Sequence, residues 1–132
     1  MTFRAVSPLS EETEALLHKV IGCALEVHTR LGAGYVEAVY HKAMCIELRH
    51  QGLSYQTEHF IKIEYRGEAI HAHRVDLVVE RQVVLELKSV DRLDLVHRGQ
   101  LVSYVRALDL HVGLLINFNT DHLRGSIRRV VV

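Results

Sequence analysis

Arg74-Val75-Asp76-Leu77-Val78-Val79-Glu80-Arg81-Gln82-Val83-Val84-Leu85-Glu86-Leu87-Lys88 is the stretch that decides how this chain reads. Two short runs rich in valine and leucine flank the polar Glu80-Arg81-Gln82, the pattern of a β-hairpin. Each run carries charge where an apolar strand should carry none: Asp76 sits between Val75 and Leu77, and Glu86 and Lys88 bracket Leu87. An ionised group inside a sheet costs several kcal/mol unless a partner, an ion or water compensates it. A metal site is the candidate compensation.

Side chains alternate along a strand, so Glu86 and Lys88 share one face and Leu85 and Leu87 the other. On the first strand strict alternation puts Asp76 with Val78, opposite Val75, Leu77 and Val79. A three-residue loop at Glu80-Arg81-Gln82 pairs Asp76 with Glu86 on one face. A two-residue turn at Arg81-Gln82 would turn Asp76 away, because a slip of one residue flips the face.

Downstream, Ser89-Val90-Asp91-Arg92 leads into a predicted helix from about Leu93 to Leu108, with Leu93, Val96, Leu101, Tyr104, Val105 and Leu108 as its core stripe. Gln100 and Tyr104 lie one turn apart on one face of it. His111 to Asn117, short and continuously apolar, reads as a buried strand. Strand, helix and strand make a βαβ unit, with parallel pairing and a right-handed crossover expected. Ser126 to Val132 reads as an edge strand.

Upstream, Phe60 to Tyr65 alternates as a strand, Arg66-Gly67-Glu68 is a turn, and Ala69 to Val79 is the strand that enters the hairpin. His71 and His73 share a strand face, which raises zinc, but no cysteine pair or third spaced histidine accompanies them, and solvated or hydrogen-bonded histidines are the default. A helix from about Tyr35 to Gln51, ended by Gly52, has Val36, Val39, Tyr40, Ala43, Met44 and Leu48 as its stripe. Glu37 stands in its first turn, where an acid complements the helix dipole, and Tyr40 shares its face. An earlier helix starts at a Ser7 or Ser10 cap and runs to about Arg30, burying Leu17, Val20, Ile21, Ala24, His28 and Leu31. His28 reads as a hydrogen-bonded core histidine.

With 132 residues and 48% hydrophobic content, the chain is expected to form one domain, spanning 1–132, around a single core. Sixteen basic and sixteen acidic side chains cancel, which argues against a broad basic field for nucleic acid while leaving room for a local basic cleft. Ten histidines would make the chain cationic below roughly pH 6.5, so affinity for nucleic acid should rise on acidification. No apolar run approaches the ~20 residues of a membrane span, and Met1-Thr2-Phe3-Arg4 lacks a secretion signal, so a soluble cytoplasmic protein without membrane association is expected. Cys23 and Cys45 read as small buried thiols.

The order helix, three antiparallel strands, helix, strand, with Asp76 on the second strand and Glu86-Leu87-Lys88 on the third, resembles the common core of the PD-(D/E)XK nuclease superfamily. The fold so implied is an α/β, restriction-endonuclease-like αβββαβ core: a mixed central sheet flanked by helices, with an extra N-terminal helix and a C-terminal edge strand. Gly34-Tyr35-Val36-Glu37-Ala38-Val39-Tyr40 resembles the signature of the GxxExxY family, a small bacterial branch of that superfamily. Glu26-Val27-His28, Leu31-Gly32, Glu47-Leu48, Gln100-Leu101 with Ser103-Tyr104, and Gly113 to Phe118 fall in the family's order, so the likeness runs from about Glu12 to Val130. Asp followed by Glu-x-Lys arises often by chance in a chain that is 24% charged; the four pieces in one order are far more specific. Val75 and Gly99 stand where the family pattern usually has alanine.

What this resemblance implies is a phosphodiester hydrolase on nucleic acid, DNA-binding included, dependent on Mg2+ or Mn2+. Asp76, Glu86 and the Leu87 carbonyl would hold the ion, with Glu37 binding it directly or through water. Lys88 would orient the attacking water or stabilise charge on the phosphate. Gln100, Tyr104 and Tyr40 would bind or orient the substrate or the charged groups. The alternative is a non-catalytic module of the same fold that binds nucleic acid or a protein partner, and a homodimer would enlarge so small a reading surface.

Overall fold

The computed structural model describes residues 8–132. Helix α1, Glu11–Leu31, begins where the Ser10 side chain accepts the Thr13 N–H and carries Glu11, Glu12 and Glu14 in its first turn, where they complement the helix dipole. Ser7 lies outside the described residues. Helix α2 spans Glu37–His50. Strands β1, Tyr55–Tyr65, β2, Glu68–Val79, and β3, Val83–Lys88, form an antiparallel meander. Helix α3, Leu95–Ala107, crosses over to β4, Val112–Asn117, and a short 3-10 turn at Leu123–Ser126 precedes β5, Ile127–Val131.

The five strands form one mixed sheet in the order β1-β2-β3-β4-β5. β3 and β4 pair in parallel, as the βαβ reading requires, and β5 closes the edge antiparallel to β4. On one face Leu77, Val79, Leu85, Leu87, Leu114 and Ile116 pack with α1 and α2 residues such as Leu17, Val20 and Met44. On the other, Val78, Val84 and Leu115 pack with Leu101, Tyr104 and Val105 of α3. Gly113 allows this second layer to sit close: a Cβ there would stand 2.8 Å from Leu101 Cδ1 and 2.9 Å from Val105 Cγ2. No described helix is long and apolar enough to cross a membrane.

Three expectations need correction. β1 starts at Tyr55 rather than Phe60, because Tyr55, Gln56, Thr57 and His59 pair with β2 although the side chains of this segment are mostly polar and do not alternate by hydropathy. Val36 is 69% exposed and Val96 66% exposed, so neither belongs to a core stripe. Val36 is the N-cap of α2 and Val96 lies in the first turn of α3. The third correction concerns β2. Val75 packs on the α3 side with Val78, while Leu77 and Val79 pack on the α1–α2 side, so alternation loses phase at Asp76. Opposite Asp76 on β1, Glu58 takes φ 57°, a left-handed conformation uncommon for a residue with a side chain.

Candidate functional site

The site begins with the loop between β2 and β3. Its three residues, 80–82, place Glu80 and Arg81 at φ 52° and 55° and set the pairs Val79 with Val83, Val78 with Val84 and Leu77 with Leu85. This is the register the three-residue loop predicts, and the next pair outward is Asp76 with Glu86. There the ladder changes character. The Asp76 N–H donates to Glu86 Oε1 at 3.2 Å, and the Leu87 N–H donates to Asp76 Oδ2 at 2.7 Å. Each carboxylate therefore satisfies a backbone N–H of the opposite strand. The remaining oxygens, Asp76 Oδ1 and Glu86 Oε2, accept no hydrogen bond among the described residues.

Glu86 is only 6% exposed. Burial, with Asp76 and then Glu37 as like charges, pushes its carboxyl up to about 8, against the hydrogen bond from Asp76 and the Lys88 ammonium, which pull it down. Lys88, half-buried at the end of β3, makes no ion pair among the described residues and acts on Glu86 through space. Glu37 is exposed at the first position of α2.

A chain of contacts fixes where Glu37 stands. Gly34 turns the preceding loop at φ 104°, and the Tyr40 hydroxyl, fully buried, donates to the Gly32 carbonyl at 2.6 Å while accepting the Tyr35 N–H at 3.2 Å. The Tyr40 ring stacks on Phe118, centroids 4.5 Å apart and planes 5° apart, and Ser89, just beyond Lys88, donates to the Tyr35 carbonyl. The spacing of Gly34, Glu37 and Tyr40 is thus a way of pinning a helix start to the end of β3. Tyr40 orients this loop; enclosed and with its hydroxyl engaged at both ends, it presents nothing to a ligand.

On the α3 side, the Tyr104 ring stacks on His73, centroids 4.0 Å apart and planes 10° apart. Burial, and then the charge of Glu86, push the Tyr104 phenol above its usual range. Gln100 is exposed on the same helix, one turn earlier. His73 Nε2 lies 3.8 Å from Glu86 Oε1, beyond hydrogen-bond reach, and among the described residues it is the buried side-chain nitrogen left without a partner. Burial holds the His73 imidazole below its ordinary range, the nearby Asp76 opposing that shift. A cleft of about 250 Å3 opens beside these groups, lined by Glu37, His41, Lys42, Arg74, Asp76 and Leu87 among others. His41 Nε2 reaches the Asp76 carbonyl oxygen at 3.0 Å, and Arg74 pairs with Glu58 at 3.4 Å. A larger groove, about 850 Å3, runs between α1 and α2 past Cys23, Ile46 and Glu47 and contains none of these residues.

Asp76, Glu86, Lys88, Glu37 and Tyr104 are thus brought to one region, joined to Glu86 by hydrogen bond or by charge. His41 was not singled out by the sequence, and His73 was raised only with His71 as a zinc pair, not as a neighbour of Glu86. Strict alternation puts His73 on the face away from Asp76, and only the loss of phase at Asp76 turns it toward Glu86. His28 is a half-buried histidine bonded to the Thr120 carbonyl at 2.7 Å, as its place in the helix stripe suggests.

A family described as the PD-(D/E)XK nuclease superfamily matches residues 14–130. The chain belongs to that superfamily. Among solved structures, the crystal structure of SSO0001 superposes with a TM-score of 0.54 over 91% of this chain at 17% identity, a likeness that shows the fold. The chain spans 59% of the length of that protein. No curated protein matches the sequence.

Proposed function

We propose that this chain is a divalent-cation-dependent phosphodiester hydrolase acting on nucleic acid, in the GxxExxY branch of its superfamily. The observation that carries the reading is the pair of carboxylates crossed over the end of the β2–β3 ladder, each with one oxygen uncommitted. Closing the ladder requires only acceptors for the Asp76 and Leu87 N–H groups, which two amides would supply without lifting a carboxyl to about 8.

The donor set fits a hard cation such as Mg2+ or Mn2+, which takes oxygen ligands, and members of this superfamily typically use divalent metals. Asp76, Glu86 and the Leu87 carbonyl would hold it, with Glu37 reaching in from the start of α2. When bound, the cation supplies positive charge against the scissile phosphate and makes water more acidic. Lys88, without an ion pair among the described residues, orients the attacking water or meets the charge growing on the phosphate oxygens. The water oxygen bonds to phosphorus as the ester P–O bond breaks; the water gives up its proton to solvent and the departing oxygen takes one from solvent, leaving a phosphate monoester and a free hydroxyl. Gln100 and Tyr104, from α3, steady the nucleic-acid backbone or the Glu86 side of the site.

A second reading, a non-catalytic module that binds nucleic acid or a protein partner, draws on one observation. Among the described residues no three His, Cys, Asp or Glu side chains already stand at metal-ligand spacing. Incubation with single- and double-stranded DNA and RNA in Mn2+ or Mg2+, beside Glu86→Ala, separates the two. Cleavage by the wild type, reduced about 10³-fold or more in the variant, is expected; equal and negligible cleavage by both would leave the binding module.

A further inference from the structure

We infer that His73 supplies a nitrogen donor to the same cation site, so that the site prefers a transition-metal divalent cation such as Mn2+ over Mg2+. This rests on the proposed cation dependence and adds a residue and a selectivity to it. Three observations converge. His73 Nε2 is shielded from water without a hydrogen bond, a costly arrangement for a polar nitrogen unless something absent from the bare chain completes it. It faces the Glu86 carboxylate, whose Oε1, the oxygen that also accepts the Asp76 N–H, lies 3.8 Å away: too long for a hydrogen bond to the imidazole, yet shorter than twice a metal–ligand bond of about 2.1 Å, the farthest apart that two ligands of one cation can lie. And the ring is held from behind, parallel to Tyr104 at 4.0 Å, so Nε2 is aimed before any ligand arrives.

The imidazole remains 28% exposed as a side chain, and among the described residues Nδ1 makes no hydrogen bond. Nδ1 can therefore carry the proton toward solvent, leaving the Nε2 lone pair pointing inward. Imidazole nitrogen binds manganese, cobalt and nickel better than magnesium, which keeps to oxygen ligands and water. Of the two roles proposed for Tyr104, this favours the one on the Glu86 side of the site, exerted through the stacked His73.

The test is pulsed EPR of Mn2+ bound to the full chain, with and without 15N-labelled histidine, alongside calorimetric titration with Mn2+ and with Mg2+. The wild type is expected to show a directly coordinated histidine nitrogen and to bind Mn2+ more tightly than Mg2+. His73→Phe keeps the ring against Tyr104 and removes the nitrogen; it should lose that coupling and weaken Mn2+ binding at least tenfold, roughly the least that loss of a supporting group costs a metal site, with Mg2+ binding little changed. Should bound Mn2+ show no histidine coupling in the wild type, the inference fails while the proposed cation dependence stands. Should neither ion bind at millimolar concentration, both fall. The wild-type spectrum decides the matter even if the variant does not fold.

Discussion

Near the Glu80 loop, Val78 and Val84 are paired backbone to backbone and are at most 4% exposed; two residues outward, at Asp76 and Glu86, the same strands are joined through side chains. The inner end is ordinary sheet, stabilised by burial on both faces. At the outer end the carboxylates satisfy the N–H groups that a ladder would have satisfied, at the cost of crowding two acids, with Glu86 lifted to about 8. The difference teaches where the fold spends stability: the backbone is equally well bonded at both ends, but only the outer end leaves oxygens free to meet a ligand.

The sharpest way to break this contrast is at Lys88. Lys88→Ala should abolish cleavage, a loss of 10³-fold or about that, while leaving Mn2+ affinity within a few-fold of wild type by calorimetry. Undiminished cleavage would remove the lysine from the mechanism. Next comes a pair of substitutions, one for each end. Leu85→Ala, at a fully buried position, should cost about 2–5 kcal/mol of unfolding free energy in urea, with cation affinity retained in the folded fraction. Asp76→Ala should cost less, about 1–3 kcal/mol, because it strands the Leu87 N–H; Asp76→Asn keeps an acceptor there and should match or exceed wild-type stability without the cation, yet lose cation binding. If Ala and Asn are equally stable, the carboxylate is not part of the ladder.

The last contrast is in pH. In the folded chain Glu86 sits at about 8 against an ordinary 4.5, so between those values the native state holds a proton that the unfolded state has released. Its contribution is complete below about 4.5 and is lost as pH rises through about 8. The cation-free protein should melt at falling temperature between about pH 5 and pH 8, and Glu86→Gln should flatten that decline. A slope identical in the two proteins would count against the raised carboxyl.

Most of this fold is legible from periodicity. The helices α1 and α2, the buried β4 and the register of the hairpin follow from spacing and from the length of one loop. What escaped lies where β1 meets the inner end of β2. Residues 55–59, opposite Val79 to Val75, are mostly polar and exposed, so hydropathy there reports no core, hence the late start assigned to β1. The loss of phase at Asp76 is silent in hydropathy because Val75, Leu77, Val78 and Val79 are apolar and buried on whichever face they lie. The place of His73 beside Glu86 was hidden for that reason, since alternation counted from Val79 points it the wrong way. Glu37 was visible as a helix-start acid, and only the Gly32, Tyr35, Tyr40 and Ser89 contacts explain why that helix starts beside Lys88.

The doubled duty of the crossed acids constrains how this activity can be lost. A copy of the gene freed from selection for chemistry would still be selected to keep the Asp76 and Leu87 amides bonded, so small apolar replacements should be purged while Asn and Gln drift in. Silent descendants of this protein should therefore be recognisable by amides at these two positions, retaining the outline of the acids without their charge.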